Sequence, residues 1–128
     1  MPGNLVLCIT KKTNKMKAIK AFVKPFKVND IFHHLLEAGF PNLTVSMAEG
    51  TGNLENNDPS VSTHFSITES QVAKIEIVCN KNDVDKIVKI ISEQGRTGNP
   101  GDGLIYISSV EKAFRVETGE GIVLDNKD

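Results

Sequence analysis

The residues of this chain that could do chemistry cluster in one short turn. Arg96–Gly103, RTGNPGDG, places three glycines and a proline within eight residues. Glycines in such density supply backbone angles that other residues avoid. Gly98, Gly101 and Gly103 can therefore bring their amide N–H groups close to an anion and form a small nest. No Gly-Lys-Ser/Thr follows, so the turn is not a Walker A loop. Asp102 within it suits Asx capping of the turn.

Other reactive groups form no constellation. His33 and His34 are adjacent on one helical segment and cannot both face one site, and His64 lies elsewhere. Together with Cys8 and Cys79 they give no metal-ligand spacing. Cys79 follows an apolar run and reads as a core thiol. No nucleophile motif such as G-x-S-x-G is present. Arg96 is the best candidate for an anion-activating cation, were the chain a small phosphatase, but it lacks an evident partner.

A weak internal repeat shows what must position the glycine turn. Lys17–Gly39 aligns without a gap on Ala73–Gly95: Ile19 on Ile75, Val28 on Val84, Ile31 on Ile87, Glu37 on Glu93 and Gly39 on Gly95. Each copy opens with a short β-rich run, Ala18–Val23 and Lys74–Val78. Each continues with helical spacing, as Val28, Ile31, Phe32, Leu35 and Leu36, then as Val84, Ile87, Val88 and Ile91. Asn29 and Asp30, or Asn82 and Asp83, suit helix starts, and Gly39 and Gly95 suit the position just past a helix end. A further strand follows each helix, Leu43–Ala48 and Leu104–Ser108. The order predicts an α+β, ferredoxin-like βαββαβ sheet with both helices on one face. A short last strand is expected near Ala113–Glu117. The sheet face without helices is half apolar, which favours oligomerisation.

Bulk properties fit that frame. The 128 residues suit one domain; 39% are hydrophobic, 24% are charged and the net charge is −1. Nothing there calls for a polyanion, and with no Trp and one Tyr there is no stacking platform for single-stranded nucleic acid. Residues 1–15 stand apart: the apolar run Leu5–Ile9 precedes Lys11, Lys12 and Lys15. That run is too short for a signal core or a membrane span, so the chain reads as cytoplasmic, without membrane insertion. Met16 is a plausible alternative start. The loop Gly50–Ser70 is far longer than its two strands need and reads as functional.

The ordered set MKAIKAFVKPFKVNDI, LTVSMAEGTG, KIEIV, RTGNPGDG and VEKAFRVETGE resembles the PII nitrogen-regulatory family over about residues 16–120. The resemblance implies a homotrimer with nucleotide clefts between subunits. It implies a T-loop at residues 51–70 that docks a target protein, and a B-loop at 96–103 that wraps phosphates. Residues 121–128 form a tail. By position, Thr44 and Val78 would flank the adenine and ribose, and Gly50, Thr51 and Gly52 would sit beside the nucleotide. Gly101, Asp102 and Gly103 would hold phosphates and the ribose, and Arg115 would contact the β-phosphate.

Departures from the family pattern change that expectation. Where PII proteins carry a glutamine and a lysine that bind Mg²⁺, 2-oxoglutarate and the γ-phosphate, this chain has Leu54 and Val72. Leu104 replaces a basic residue and Glu117 an arginine. The expected ligand is therefore ADP or AMP in preference to ATP, and a small anion such as bicarbonate could take the place of 2-oxoglutarate. The loop has no tyrosine to be uridylylated. The family relation implies a sensor rather than an enzyme, whose target is a membrane transporter or an enzyme. A standard Mg-ATP and 2-oxoglutarate sensor, a small phosphatase, and a scaffold without ligand binding are the alternatives.

Overall fold

The computed structural model describes residues 15–50, 71–99 and 101–123. Four strands form one antiparallel sheet: β1 (Met16–Val23), β2 (Thr44–Glu49), β3 (Gln71–Asn80) and β4 (Gly103–Val110), in the order β2-β3-β1-β4. Helices α1 (Val28–Glu37) and α2 (Val84–Gly95) follow β1 and β3. This is the ferredoxin-like βαββαβ arrangement that the repeat predicts. No helix among the described residues is long and apolar enough to cross a membrane.

Strand alternation builds the core. Ile19, Ala21 and Val23 of β1 and Ala73, Ile75, Ile77 and Cys79 of β3 turn to one face and are buried. Ile31 and Leu35 of α1 and Ile87 and Ile91 of α2 close over them. Each such aliphatic side chain contributes about 1.5–3 kcal/mol on leaving water. The other helix-face positions sit at the margin: Phe32 is 36% and Leu36 45% exposed. The apolar stripe of α1 is wider than the part of it that the core covers.

Helix starts and ends differ in part from expectation. Neither start uses a side-chain cap; a 3-10 turn leads into each helix, Pro25–Lys27 before α1 and Lys81–Asp83 before α2. Asn29 and Asp30 consequently lie inside α1. Pro25, which lacks the N–H that a strand would need, opens the first turn instead. Gly39 does end α1 in the left-handed region, with φ +96. The Phe40 amide donates to the Leu35 carbonyl and the Gly39 amide to Leu36, a Schellman closure. Gly95 has another reason: it is the buried last residue of α2, and a Cβ there would stand 3.3 Å from Ile31 Cδ1. It permits close packing of α2 on α1.

The expected strand at Ala113–Glu117 is absent. A single bridge between Phe114 and Gly121 forms there, around a turn in which the Gly119 amide donates to the Arg115 carbonyl. The segment folds back on itself and adds nothing to the sheet.

Candidate functional site

The glycine turn is organised by its own aspartate. Asp102 accepts hydrogen bonds from the Thr97 hydroxyl at 2.5 Å, the Thr97 amide at 2.7 Å and the Gly98 amide at 3.3 Å. Lys24 Nζ lies 3.4 Å from the oxygen that accepts from the Thr97 hydroxyl. These contacts, the Thr97 hydroxyl foremost, lower the Asp102 pKa to about 2. The expectation that Gly98 offers its amide to a foreign anion is thus corrected, because an internal carboxylate already fills that place. The amides of Gly101 and Asp102 have no protein acceptor among the described residues.

The turn's backbone demands its glycines. Gly98, Gly101 and Gly103 have φ of +88, +84 and +120. Gly103 is the most constrained: a Cβ there would fall 1.7 Å from the Phe22 carbonyl oxygen. Arg96, the candidate cation of a phosphatase, is occupied at the end of α2. Its guanidinium donates to the Ser92 carbonyl at 3.1 Å and to the Ser92 hydroxyl at 2.9 Å. The same Ser92 carbonyl also accepts the Arg96 backbone amide, so both groups of Arg96 close the helix end.

A second site element lies elsewhere. Thr44 and Val78 share the wall of an open groove of about 530 Å³, completed by Ala18, Asn42, Leu43 and Glu76. Antiparallel pairing sets Thr44 opposite Glu76 and Ala18 opposite Val78. Glu76 also pairs with Lys74 at 3.6 Å. A smaller hollow of about 250 Å³ continues the groove past Asn42 and Val78 to Cys79 and Asp83. The Cys79 thiol is raised to about 11, first by burial and then by the Asp83 charge.

The structure does not bring these two elements together within one chain. Val78 and Gly103 are two strands apart, because β1 separates β3 from β4. Val78 pairs with Ala18 and Gly103 with Val23, so they are also five residues apart along β1. At about 4.8 Å per strand and 3.3 Å per residue the separation is roughly 20 Å. Gly50 follows β2 at the same end of the sheet as Gly103. Arg115 follows the far end of β4, where Val110 pairs with Met16. Its backbone is held by Glu120, and its guanidinium has no partner among the described residues. Thr51, Gly52 and Leu54 lie outside the described residues, as does the whole expected T-loop.

Sequence reasoning missed Glu76, Asn42 and Thr97. Glu76 sits two residues before Val78 and so on the same sheet face, which alternation alone could have shown. Thr97 has no such signal; its role follows from a turn geometry that only the fold reveals. At the positions of the departed cations, Leu104 is 52% exposed, Val72 is half-buried and Glu117 is exposed.

Comparison with known proteins agrees with the fold. The family model described as nitrogen regulatory protein P-II matches residues 16–120. The nitrogen regulatory protein P-II of Nostoc punctiforme is 37% identical over 106 residues, 82% of this chain and 95% of its own length. That of Synechocystis is 35% identical over the same coverage. The crystal structure of Arabidopsis thaliana PII bound to citrate superposes with a TM-score of 0.69 at 31% identity, covering 84% of this chain and 89% of that one. The chain belongs to the nitrogen regulatory protein P-II family.

Proposed function

We propose that this P-II family member is a divergent signalling protein that binds ADP or AMP between the subunits of a homotrimer. It passes its state to a target transporter or enzyme through residues 51–70. The observation that carries the reading is the separation of the two site elements. Thr44 and Val78 lie on one groove, and Gly50 with Gly101–Gly103 lies at the opposite end of the sheet. One chain cannot wrap a nucleotide with both, whereas neighbouring copies can set the groove of one against the glycine turn of the next. The half-apolar sheet face with Phe22 stacked on Tyr106 at 6.0 Å favours such association.

Charge supports the preference among nucleotides. Leu104 and Val72 offer no cation to a γ-phosphate, and Glu117 would repel one. Thr51, Gly52 and Arg115 complete the proposed site, and a small anion such as bicarbonate is a proposed co-ligand. Nucleotide acts on the target only through its difference in affinity between loop states.

Isothermal titration calorimetry with AMP, ADP and ATP, each with and without Mg²⁺ and 2-oxoglutarate, tests the reading. ADP or AMP binding preferred over ATP, without a 2-oxoglutarate effect, is expected. Tight Mg-ATP binding strengthened by 2-oxoglutarate would overturn the preference, and no nucleotide binding would overturn the site.

A further inference from the structure

The strand beside the glycine turn ends in a lysine whose backbone is fixed. Val23 pairs with Gly103, and a Cβ on Gly103 would collide with the Phe22 carbonyl, so the end of β1 is pressed against the end of the turn. Lys24 comes next. Pro25 after it disfavours helical angles, and Lys24 is extended, with φ −67 and ψ 135. Its carbonyl accepts the Lys27 amide at 2.9 Å. Its side chain reaches the turn, where Nζ lies 3.4 Å from Asp102 Oδ1.

Asp102 is held without this lysine. Its Oδ2 takes the amides of Thr97 and Gly98, and its Oδ1 takes the Thr97 hydroxyl. The Thr97 hydroxyl does most to lower the carboxyl's pKa and Lys24 does least. The Lys24 side chain is 29% exposed, so an ammonium with three donors keeps part of its capacity open to solvent. The neighbouring cations are committed: Arg96 to Ser92, and Lys74 to Glu76. No other basic side chain among the described residues pairs with Asp102.

Charge and distance then single out Lys24. A foreign anion at the amides of Gly101 and Asp102 sits beside the ionised Asp102 carboxylate and needs a cation to offset it. The Asp102 amide nitrogen and Oδ1 belong to one residue and are less than about 5 Å apart by bond lengths. Lys24 Nζ is therefore within about 8 Å of that amide. One phosphate group accepting bonds of about 2.9 Å on two of its oxygens spans such a gap. Lysine suits the task as a compact charge on a flexible stem.

We propose that Lys24 is the phosphate-binding cation of the glycine turn, its Nζ and the amides of Gly101 and Asp102 sharing one phosphate group. Leu104 and Glu117 supply no charge for that role, and Lys24 supplies it from β1. The phosphate contact stands on the turn and Lys24 alone. Its part in binding ADP rests on the nucleotide reading above.

Calorimetry on the full chain with inorganic pyrophosphate and with ADP tests this. Lys24→Gln is expected to weaken both by about ten-fold, the size of a lost hydrogen bond to a charged group. Lys24→Arg should restore most of the loss, and the ADP affinity of Lys24→Gln should fall less steeply with added KCl than the parent's. Titration of the Asp102 carboxyl by carbon NMR separates binding from support of the turn, and its pKa should stay near the parent's in Lys24→Gln. Equal affinities of parent and Lys24→Gln would overturn the proposal. So would a loss of affinity accompanied by a raised Asp102 pKa, which would make Lys24 a prop of the turn. Pyrophosphate binding that depends on Lys24, in a protein that binds no ADP, would support the contact while the nucleotide reading fails. Binding of neither ligand to the parent would overturn both.

Discussion

Asp102 closes the glycine turn on Thr97, taking hydrogen bonds from both its hydroxyl and its amide. These contacts tie the two sides of the turn together through one side chain. The foreign anion it could take must bind beyond this internal one, at the amides of Gly101 and Asp102.

Replacing Asp102 by Asn tests that arrangement through pH. The folded pKa of about 2 lies below the ordinary value near 4. Asp102 therefore adds stability that is fully present above pH ~4 and is lost as pH falls toward ~2. The acid-unfolding profile of Asp102→Asn, followed by circular dichroism, should be flatter across that window than the parent's. Identical slopes would show that the carboxylate contacts do not persist in solution.

Two glycines in the turn should respond differently to alanine. At Gly103 the new Cβ meets the Phe22 carbonyl, which is fixed in β1. Gly103→Ala should cost more than about 2 kcal/mol in urea denaturation, since strained φ and a backbone overlap act together. At Gly98 nothing lies within 4 Å, and only φ is strained. Gly98→Ala should cost roughly 1 kcal/mol. A reversed order would contradict the geometry of this turn.

Packing beneath α1 makes a third prediction. Ile31 is fully buried against the sheet and α2. Ile31→Ala should cost about 2–5 kcal/mol. Leu36→Ala, at a position 45% exposed, should cost less than half as much. Chemical denaturation of the pair checks whether the stripe of α1 is graded as described.

Cys79 offers a fourth. Its thiol is held at about 11, so at neutral pH its thiolate is scarce and alkylation should wait for unfolding. The folded state disfavours the thiolate. Stability should therefore be undiminished below pH ~8.5 and fall as pH rises toward 11. Mass spectrometry after brief iodoacetamide treatment reads the first effect. Rapid native labelling at Cys79 would show that the strand end opens.

Legibility from the sequence was uneven for physical reasons. The order of strands and helices was readable because the repeat carries both periodicities, two and 3.6, in matched places. Gly39 was readable as a helix end because it follows the last residues of the apolar stripe, Leu35 and Leu36, where a left-handed glycine closes a helix. Gly95 looked the same and was not, since its reason is contact with Ile31, which sequence spacing does not contain. The strand at Ala113–Glu117 failed because the segment turns back and bridges its own Gly121 through Phe114 instead of running along an edge strand. Thr44 and Val78 could be placed together only by strand pairing. Their distance from Gly103 depends on the order β2-β3-β1-β4, which no local signal encodes.

The central claim is that two copies build each nucleotide site, and mixed oligomers test it most directly. Val78→Asp spoils the groove, and Gly101→Asp sets a carboxylate where phosphate would lie. Each variant alone should bind no ADP. When the two are unfolded together and reassembled, about one quarter of the sites should pair an intact groove with an intact turn and recover ADP binding. No recovery in the mixture, from variants that assemble as the parent does, would mean that one chain holds the nucleotide by itself and would contradict the account.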